Sequence, residues 1–424
     1  MMTGIPIAFA LGLTAVGAML LFLDPFQFDL LGELVFSSMN DFTMLAIPLF
    51  VFMGAIFATS RASQDLFDSA QKWTSKLPGG LAISSVLACA IFSALCGSSP
   101  ATAAAIGKTA IPEMKKRGYS NAIATGAIVA GGTLGILIPP SVVLILYGVA
   151  VEESIGKLFA AGIIPGILLT LLFCIWIAIA VFFERKGINV SSPEGAEYVM
   201  TYSWKDRISS LIKVFPFLLL IAGILFALYA GIATPSEAAA VGAILSLFII
   251  AIIYRSTTWR NLVDMLLSTT KESTMILLII AFSALIGTVM SFLSIPQDLA
   301  NLVIGLELSK WTVMILINVF LLVLGLFMPP AAIILMTAPI LFPIITGLGF
   351  DPIWFGIIMT INMEAGLITP PVGLNLFVVK GIAPDIPTKD IIKGALPFVG
   401  VILFCIFLLS VFPGIVTWLP NLLF

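Results

Sequence analysis

Two adjacent prolines, Pro139 and Pro140, interrupt an apolar run that extends from about Ala122 to Ala150. Each removes a backbone donor and clashes with the turn before it, so no continuous helix passes through them. Gly131, Gly132 and Gly135 loosen the same turn. A lipid-facing helix cannot carry such a gap, because hydrocarbon offers its freed backbone groups no partner. A helix broken where its carbonyls line a cavity inside the protein can. The pattern Gly135-Ile136-Leu137-Ile138-Pro139-Pro140 returns 231 residues later as Gly366-Leu367-Ile368-Thr369-Pro370-Pro371. The chain therefore reads as two copies arranged around two broken helices.

The bilayer setting follows from composition. Of 424 residues, 60% are hydrophobic and 10% charged, with a mean hydropathy of +1.17. Soluble domains are about 45–50% apolar and about 25% charged. The chain is a polytopic membrane protein, and its net charge of −2 matters less than where the charges stand. It has no histidine, which removes the usual proton shuttle and the commonest metal ligand. Its four cysteines lie in apolar runs without a CxxC pair, against a disulfide framework or a metal site. The N-terminus lacks the basic region and cleavage site of a signal peptide and reads as the first span.

Taken in order, Gly4–Phe22 and Phe42–Ser60 are spans, and the polar stretch Arg61–Lys76 reads as an interfacial helix. Leu81–Ile111 is apolar but interrupted at Gly97-Ser98-Ser99-Pro100, and positive charge flanks both ends. Lys and Arg favour the cytoplasmic side, so this segment enters and turns back as a re-entrant hairpin. The first broken helix, 122–150, crosses outward and Phe159–Phe183 returns. Residues 184–213 form a basic cytoplasmic loop, Phe215–Ile232 and Ala238–Tyr254 flank a turn at Thr234-Pro235-Ser236-Glu237, and 255–271 is cytoplasmic again.

Thr274–Leu293 opens the second copy. Val313–Ile345, broken at Met328-Pro329-Pro330, is a second hairpin; the second broken helix covers 353–379; and a last helix covers 395–418. The expected fold is all-α: nine spans and two hairpins in two inverted repeats, with the N-terminus cytoplasmic and the C-terminus outside. The loop Lys115-Lys116-Arg117 is basic whereas its counterpart Thr346–Asp351 carries no positive charge, as inversion requires. Leu95/Leu326, Ala101/Ala332, Pro112/Pro343, Gly118/Gly349 and Gly135/Gly366 match without a gap.

Enzyme chemistry finds little support. Ile106-Gly107-Lys108-Thr109 imitates a phosphate loop, but Thr102 stands where its first glycine belongs. HExxH is absent, and without histidine no Ser-His triad forms. What remains suits a small cation and an anion. Carbonyl ends of broken helices coordinate Na⁺, and amide ends hold carboxylates. The candidate Na⁺ ligands are Ser98, Ser99 and Thr102 at the first tip, Gly132, Thr133 and Gly135 at the first break, Gly325 and Met328 at the second tip, and Glu364, Gly366 and Thr369 at the second break. The candidate substrate contacts are Ser98, Ser99, Pro100, Pro139, Pro329, Pro330 and Asn375. Each hydroxyl has a competing use, a bond to its own helix backbone. Glu364, which aligns with Thr133, has the alternative of a structural buried acid. Asn40, Asp41 and Glu237 read as helix caps.

Cys96-Gly97-Ser98-Ser99-Pro100-Ala101-Thr102, Gly135–Ser141, Gly231–Ala240 and Met363–Asn375 together resemble the large membrane subunit of a TRAP (tripartite ATP-independent periplasmic) transporter, over essentially the whole chain. The resemblance implies a bacterial inner-membrane importer of an organic anion, of the sialic acid or C4-dicarboxylate class, driven by Na⁺. It implies two partners, a small four-helix membrane subunit and a periplasmic substrate-binding protein, and no nucleic acid. It also implies an elevator mechanism. The moving body would comprise 79–150 and 312–380, against scaffold segments 1–78, 151–311 and 381–424. The competing readings are a stand-alone Na⁺/dicarboxylate symporter and an integral membrane enzyme or scaffold.

Overall fold

The computed structural model describes residues 5–187, 202–254 and 258–424. The loop residues 188–201 and Arg255, read above as cytoplasmic, lie outside them. Among the described residues there are nineteen α-helices and no strand. Six helices are long and apolar enough to cross a membrane, or up to seven if one bent pair counts as a single span. Several others are short apolar helices, and these are mostly arms of hairpins or halves of broken helices.

The first half of the chain begins with α1 (Ile7–Phe22), α2 (Leu31–Met39) and α3 (Ala46–Ala58). Next comes α4 (Ala62–Thr74), the helix expected at the interface. The first hairpin is α5 (Gly80–Cys96) and α6 (Ser99–Lys116). The first broken helix is α7 (Asn121–Thr133), a 3-10 turn at Leu134–Ile136 and α8 (Val142–Ala150). After α9 (Ile155–Gly187) come α10 (Trp204–Tyr229) and α11 (Pro235–Ile249), joined at the Thr234–Glu237 turn. That turn is a capping box: Glu237 N donates to Thr234 Oγ1 at 3.3 Å, and Thr234 N donates to Glu237 Oε2 at 2.8 Å. Asp41 caps the turn before α3, accepting from Thr43 N at 2.7 Å.

The second half runs α12 (Trp259–Phe292), α13 (Ile295–Gly305), then the hairpin α14 (Lys310–Gly325) and α15 (Pro330–Gly347). The second broken helix is α16 (Pro352–Leu367) and α17 (Leu374–Ile382), and α18 (Thr388–Val411) and α19 (Gly414–Leu423) close the chain.

Three expectations need correction. α10 starts at Trp204, well before Phe215, and α12 at Trp259, well before Thr274. Their polar first turns are helical because water and headgroups satisfy the side chains; hydropathy marks where lipid begins, not where the helix does. The last helix is not continuous from 395 to 418: α18 ends at Val411 and the chain turns at Pro413 before α19.

The apolar residues are sorted for lipid. A single large cluster of buried side chains connects both hairpins and both broken helices. The outer faces stay apolar, with Leu13, Ile212, Phe226, Ile315 and Phe407 each more than 60% exposed. The packing of α18 on α7 is the most extensive between any two helices, and α18 also runs against α9, α16 and α17. Glycine makes this possible. A Cβ on Gly126 would stand 2.7 Å from the Gly394 carbonyl carbon, and one on Gly394 would stand 2.8 Å from that of Ala122. Backbone cannot yield as a side-chain end can, so Gly126→Val is expected to destabilise the protein by about 1–3 kcal/mol through overpacking. An unchanged thermal midpoint in detergent would refute this contact. Outside the membrane, Lys115 at the end of α6 donates to Asp385 in the α17–α18 turn and holds that carboxyl below the usual carboxylate range.

Candidate functional site

Each hairpin tip lies against the helix break of its own copy. At the first tip α5 ends on Gly97, whose φ of +60° suits glycine. A Cβ there would meet the Pro140 carbonyl oxygen at 3.1 Å. From the other side, a Cβ on Gly135 would fall 2.8 Å from Ser98 C and O and 2.9 Å from Ser99 N. The chain needs glycine at both positions because backbone meets backbone. The break leaves the carbonyls of Gly135 and Ile136 without their usual helical donors, since residues 139 and 140 are prolines. Ile136 O takes the Ser141 hydroxyl at 2.5 Å instead, and Ser141 also caps α8.

The second tip repeats the contact with fewer side chains. A Cβ on Gly366 would stand 2.6 Å from Gly325 Cα and 2.7 Å from its carbonyl. Val372 N, just past Pro371, donates to Leu326 O at the tip at 3.3 Å. Pro329 and Pro330 start α15, where missing N–H groups cost nothing, as Pro100 does in the first turn of α6. Met328 is half-buried at this tip.

One residue joins the two halves. Asn375, at the start of α17, is fully buried. Its Nδ2 donates to Ser99 Oγ at 2.8 Å and to Val129 O at 3.1 Å, and its Oδ1 is 3.2 Å from the Ser99 hydroxyl. Gly132 leaves room beside it, since a Cβ there would be 3.2 Å from Asn375 Nδ2 and 2.7 Å from Ala103 Cβ. So Ser99, Asn375, Gly132 and Gly135, all assigned from sequence, share one place. Pro139 lies near α9, where a Cβ on Gly162 would stand 3.7 Å from its Cδ.

The threonine hydroxyls all donate to their own helices: Thr102 to Ser98 O at 2.9 Å, Thr133 to Ala130 O at 2.7 Å, and Thr369 to Ala365 O at 2.6 Å. This is the competing use named above. A hydroxyl that donates in this way can still accept, as a cation ligand must. Glu364 is fully buried, and neither carboxyl oxygen has a hydrogen-bond partner among the described residues. Thr133 lies beside it, and Cys405 of α18 lies near. Thr133 and Glu364, which align in the sequence, are therefore neighbours in space.

Three participants were not identified from sequence. Glu272 of α12 reaches Ser98 at the first tip. Val129 contributes only a carbonyl, which no side-chain pattern reveals. Asn318 takes both amide hydrogens of Asn362, to its O and Oδ1 at 2.9 Å each, and ties α14 to α16. Volume alone would mislead. A cavity of about 630 Å³ between α14, α16 and α18 touches Asn318 and Asn362 but none of the site residues assigned above. Among the described residues no group of three or more His, Cys, Asp or Glu is placed to hold a metal. The donors are hydroxyls, carbonyls and the carboxyls of Glu272 and Glu364, which suit a hard cation and not a transition metal.

The sequence matches the family described as "Tripartite ATP-independent periplasmic transporter, DctM component" over residues 1–415. The chain belongs to that family. It is a large membrane subunit of a TRAP transporter and a multi-pass membrane protein. It is 42% identical to the C4-dicarboxylate TRAP transporter large permease protein DctM of Pseudomonas aeruginosa, over 97% of this chain and 94% of that protein. It is 30% identical to the sialic acid TRAP transporter large permease protein SiaM of Vibrio cholerae, over 99% and 95%. The fold of this DctM-family chain resembles that of the YdaH transporter of Alcanivorax borkumensis, with a TM-score of 0.64, 15% identity and 96% of each chain covered.

Proposed function

We propose that this subunit imports a small organic anion by Na⁺-coupled secondary transport across the bacterial inner membrane. The observation that carries this reading is the pairing of each hairpin tip with a helix break at backbone distance. Helix N-termini and freed carbonyls meet there, offering amides to an anion and oxygens to a cation. Relatives named for C4-dicarboxylates and for sialic acid make a carboxylate the favoured cargo. Na⁺ would take oxygens of Thr102, Thr133, Gly135, Glu364, Gly366 and Thr369, and the anion the amide ends near Ser98, Ser99 and Asn375.

The moving body we propose contains residues 79–150 and 312–380 as one elevator unit. We add α9 and α18, because they pack on the broken helices α7 and α16. The side-by-side placement of Thr133 and Glu364 supports two inverted copies. The family description favours a small four-helix membrane subunit and a periplasmic binding protein as partners. The positive charges favour a cytoplasmic N-terminus and a periplasmic C-terminus.

In proteoliposomes with both partners, collapsing an inward Na⁺ gradient is expected to slow uptake of a C4-dicarboxylate or sialic acid by about tenfold or more, within the range of coupling energies between linked sites. Uptake indifferent to Na⁺ would sink the coupling. Equal uptake without partners would make the chain a stand-alone symporter.

A further inference from the structure

A second cavity, of about 540 Å³, lies between α4, α5, α9 and α10. Its walls are aliphatic, among them Leu87, Ile91, Ala94, Ile167 and Leu211. Its two hydroxyls already have partners: Ser69 bonds Ser210 at 3.4 Å, and Thr170 bonds Gly166 O at 2.7 Å. Leu171 on its wall is 52% exposed, so the cavity opens sideways towards lipid. Its volume is in the range, about 300–1,000 Å³, of cavities that enclose a drug-sized molecule.

At one end stands a cation. Trp73 lines the cavity and forms an edge contact with Trp204 of α10, ring centroids 6.2 Å apart. The guanidinium of Arg207 lies 6.0 Å from the Trp73 ring and 5.2 Å from that of Trp204. Leu211, one helical turn on, lines the cavity, so Arg207 sits at its rim. Its Nε is buried without a partner, and among the described residues no carboxylate forms an ion pair with it. Paired tryptophans mark the depth of lipid headgroups. A guanidinium that no carboxylate pairs with among the described residues, at that depth, matches a phosphate.

We propose that the cavity and Arg207 together hold one anionic phospholipid, with a hydrocarbon tail inside and the phosphate on the guanidinium. The tail would touch Ile138, the residue before the Pro139-Pro140 break. The lipid would therefore lie between the α4–α10 pair and the first broken helix. This rests on the membrane reading alone and not on the identity of the cargo.

The test is native mass spectrometry of the purified full chain with palmitoyl-oleoyl phosphatidylglycerol or the matching phosphatidylcholine. One phosphatidylglycerol is expected to stay bound, in preference to phosphatidylcholine. Arg207→Gln should weaken it about fivefold, the effect of one interfacial cation. Ala94→Phe, which fills the cavity and leaves the charge, should also release it. If Ala94→Phe lowers the thermal midpoint, Leu171→Trp at the mouth takes its place. Equal retention by wild type and both variants overturns the proposal, as does equal binding of the two lipids. Displacement by inorganic phosphate with no effect of the cavity variants would leave a plain anion site and overturn the tail assignment. Displacement by a co-expressed small membrane subunit would make the cavity a protein seam instead.

Discussion

Gly366→Val is expected to lower uptake by at least about tenfold while leaving the protein in the membrane. The wild-type glycine puts α16 so close to the second tip that a Cβ would stand 2.6–2.7 Å from Gly325 Cα, C and O. A Cβ on Gly325 would meet Gly366 Cα at 3.1 Å in return. Nothing in this contact is a side-chain end that could swing aside, so the tip must lift off the break. Overpacking of this kind costs about 1–3 kcal/mol, enough to cost tenfold in any equilibrium that needs the tip seated. The bond from Val372 N to Leu326 O should break with it, since it crosses the same gap. Uptake in proteoliposomes, beside accessibility of a cysteine placed at Phe327, reads both effects. Wild-type uptake and wild-type accessibility would refute the claim that the tip must seat on its break.

Asn375→Leu is the second large effect. The substitution keeps the approximate shape and removes every polar atom of the amide. Ser99 Oγ and Val129 O lose their partner in a fully buried place. Leaving such groups unsatisfied costs about 1–3 kcal/mol. The second broken helix would lose its hold on the first hairpin tip, and uptake should fall about tenfold or more. Ser99→Ala, made alone and with Asn375→Leu, closes a cycle. The two changes should show an interaction of about 0.5–3 kcal/mol in stability, as residues in contact do. Strict additivity would mean that the pair does not act as a link.

Much of this architecture was legible because proline and glycine dictate backbone without help from the rest of the fold. The tips at Gly97–Pro100 and Met328–Pro330, and the breaks at Pro139-Pro140 and Pro370-Pro371, stand where the sequence places them. The Thr234–Glu237 cap was equally readable, since its capping bonds run between Thr234 and Glu237, three residues apart. The helix ends of α10 and α12 were not, because charged residues at a bilayer surface remain helical as readily as they form loops. Long-range partners were hidden as well. Asn375 and Ser99 were both candidates, yet nothing local says that residues 276 apart meet. Glu272 was missed because an acid beside a lysine at the edge of an apolar run looks like a surface residue; only the packing of α12 brings it to Ser98.

Two contacts at the tips are made by different means, and that difference governs how each can change over generations. The seam between Ser99 and Asn375 consists of side chains. Any pair of groups with matching donors and acceptors could replace it, provided that both change together. The seam between Gly325 and Gly366 consists of main chain, and it admits no side chain at either position. One seam can drift by paired exchange and so take on new cargo chemistry. The other is fixed from the moment the two helices touch. Laboratory evolution of specificity in this chain therefore has more room at the Ser99–Asn375 contact than at the glycine contacts of either tip.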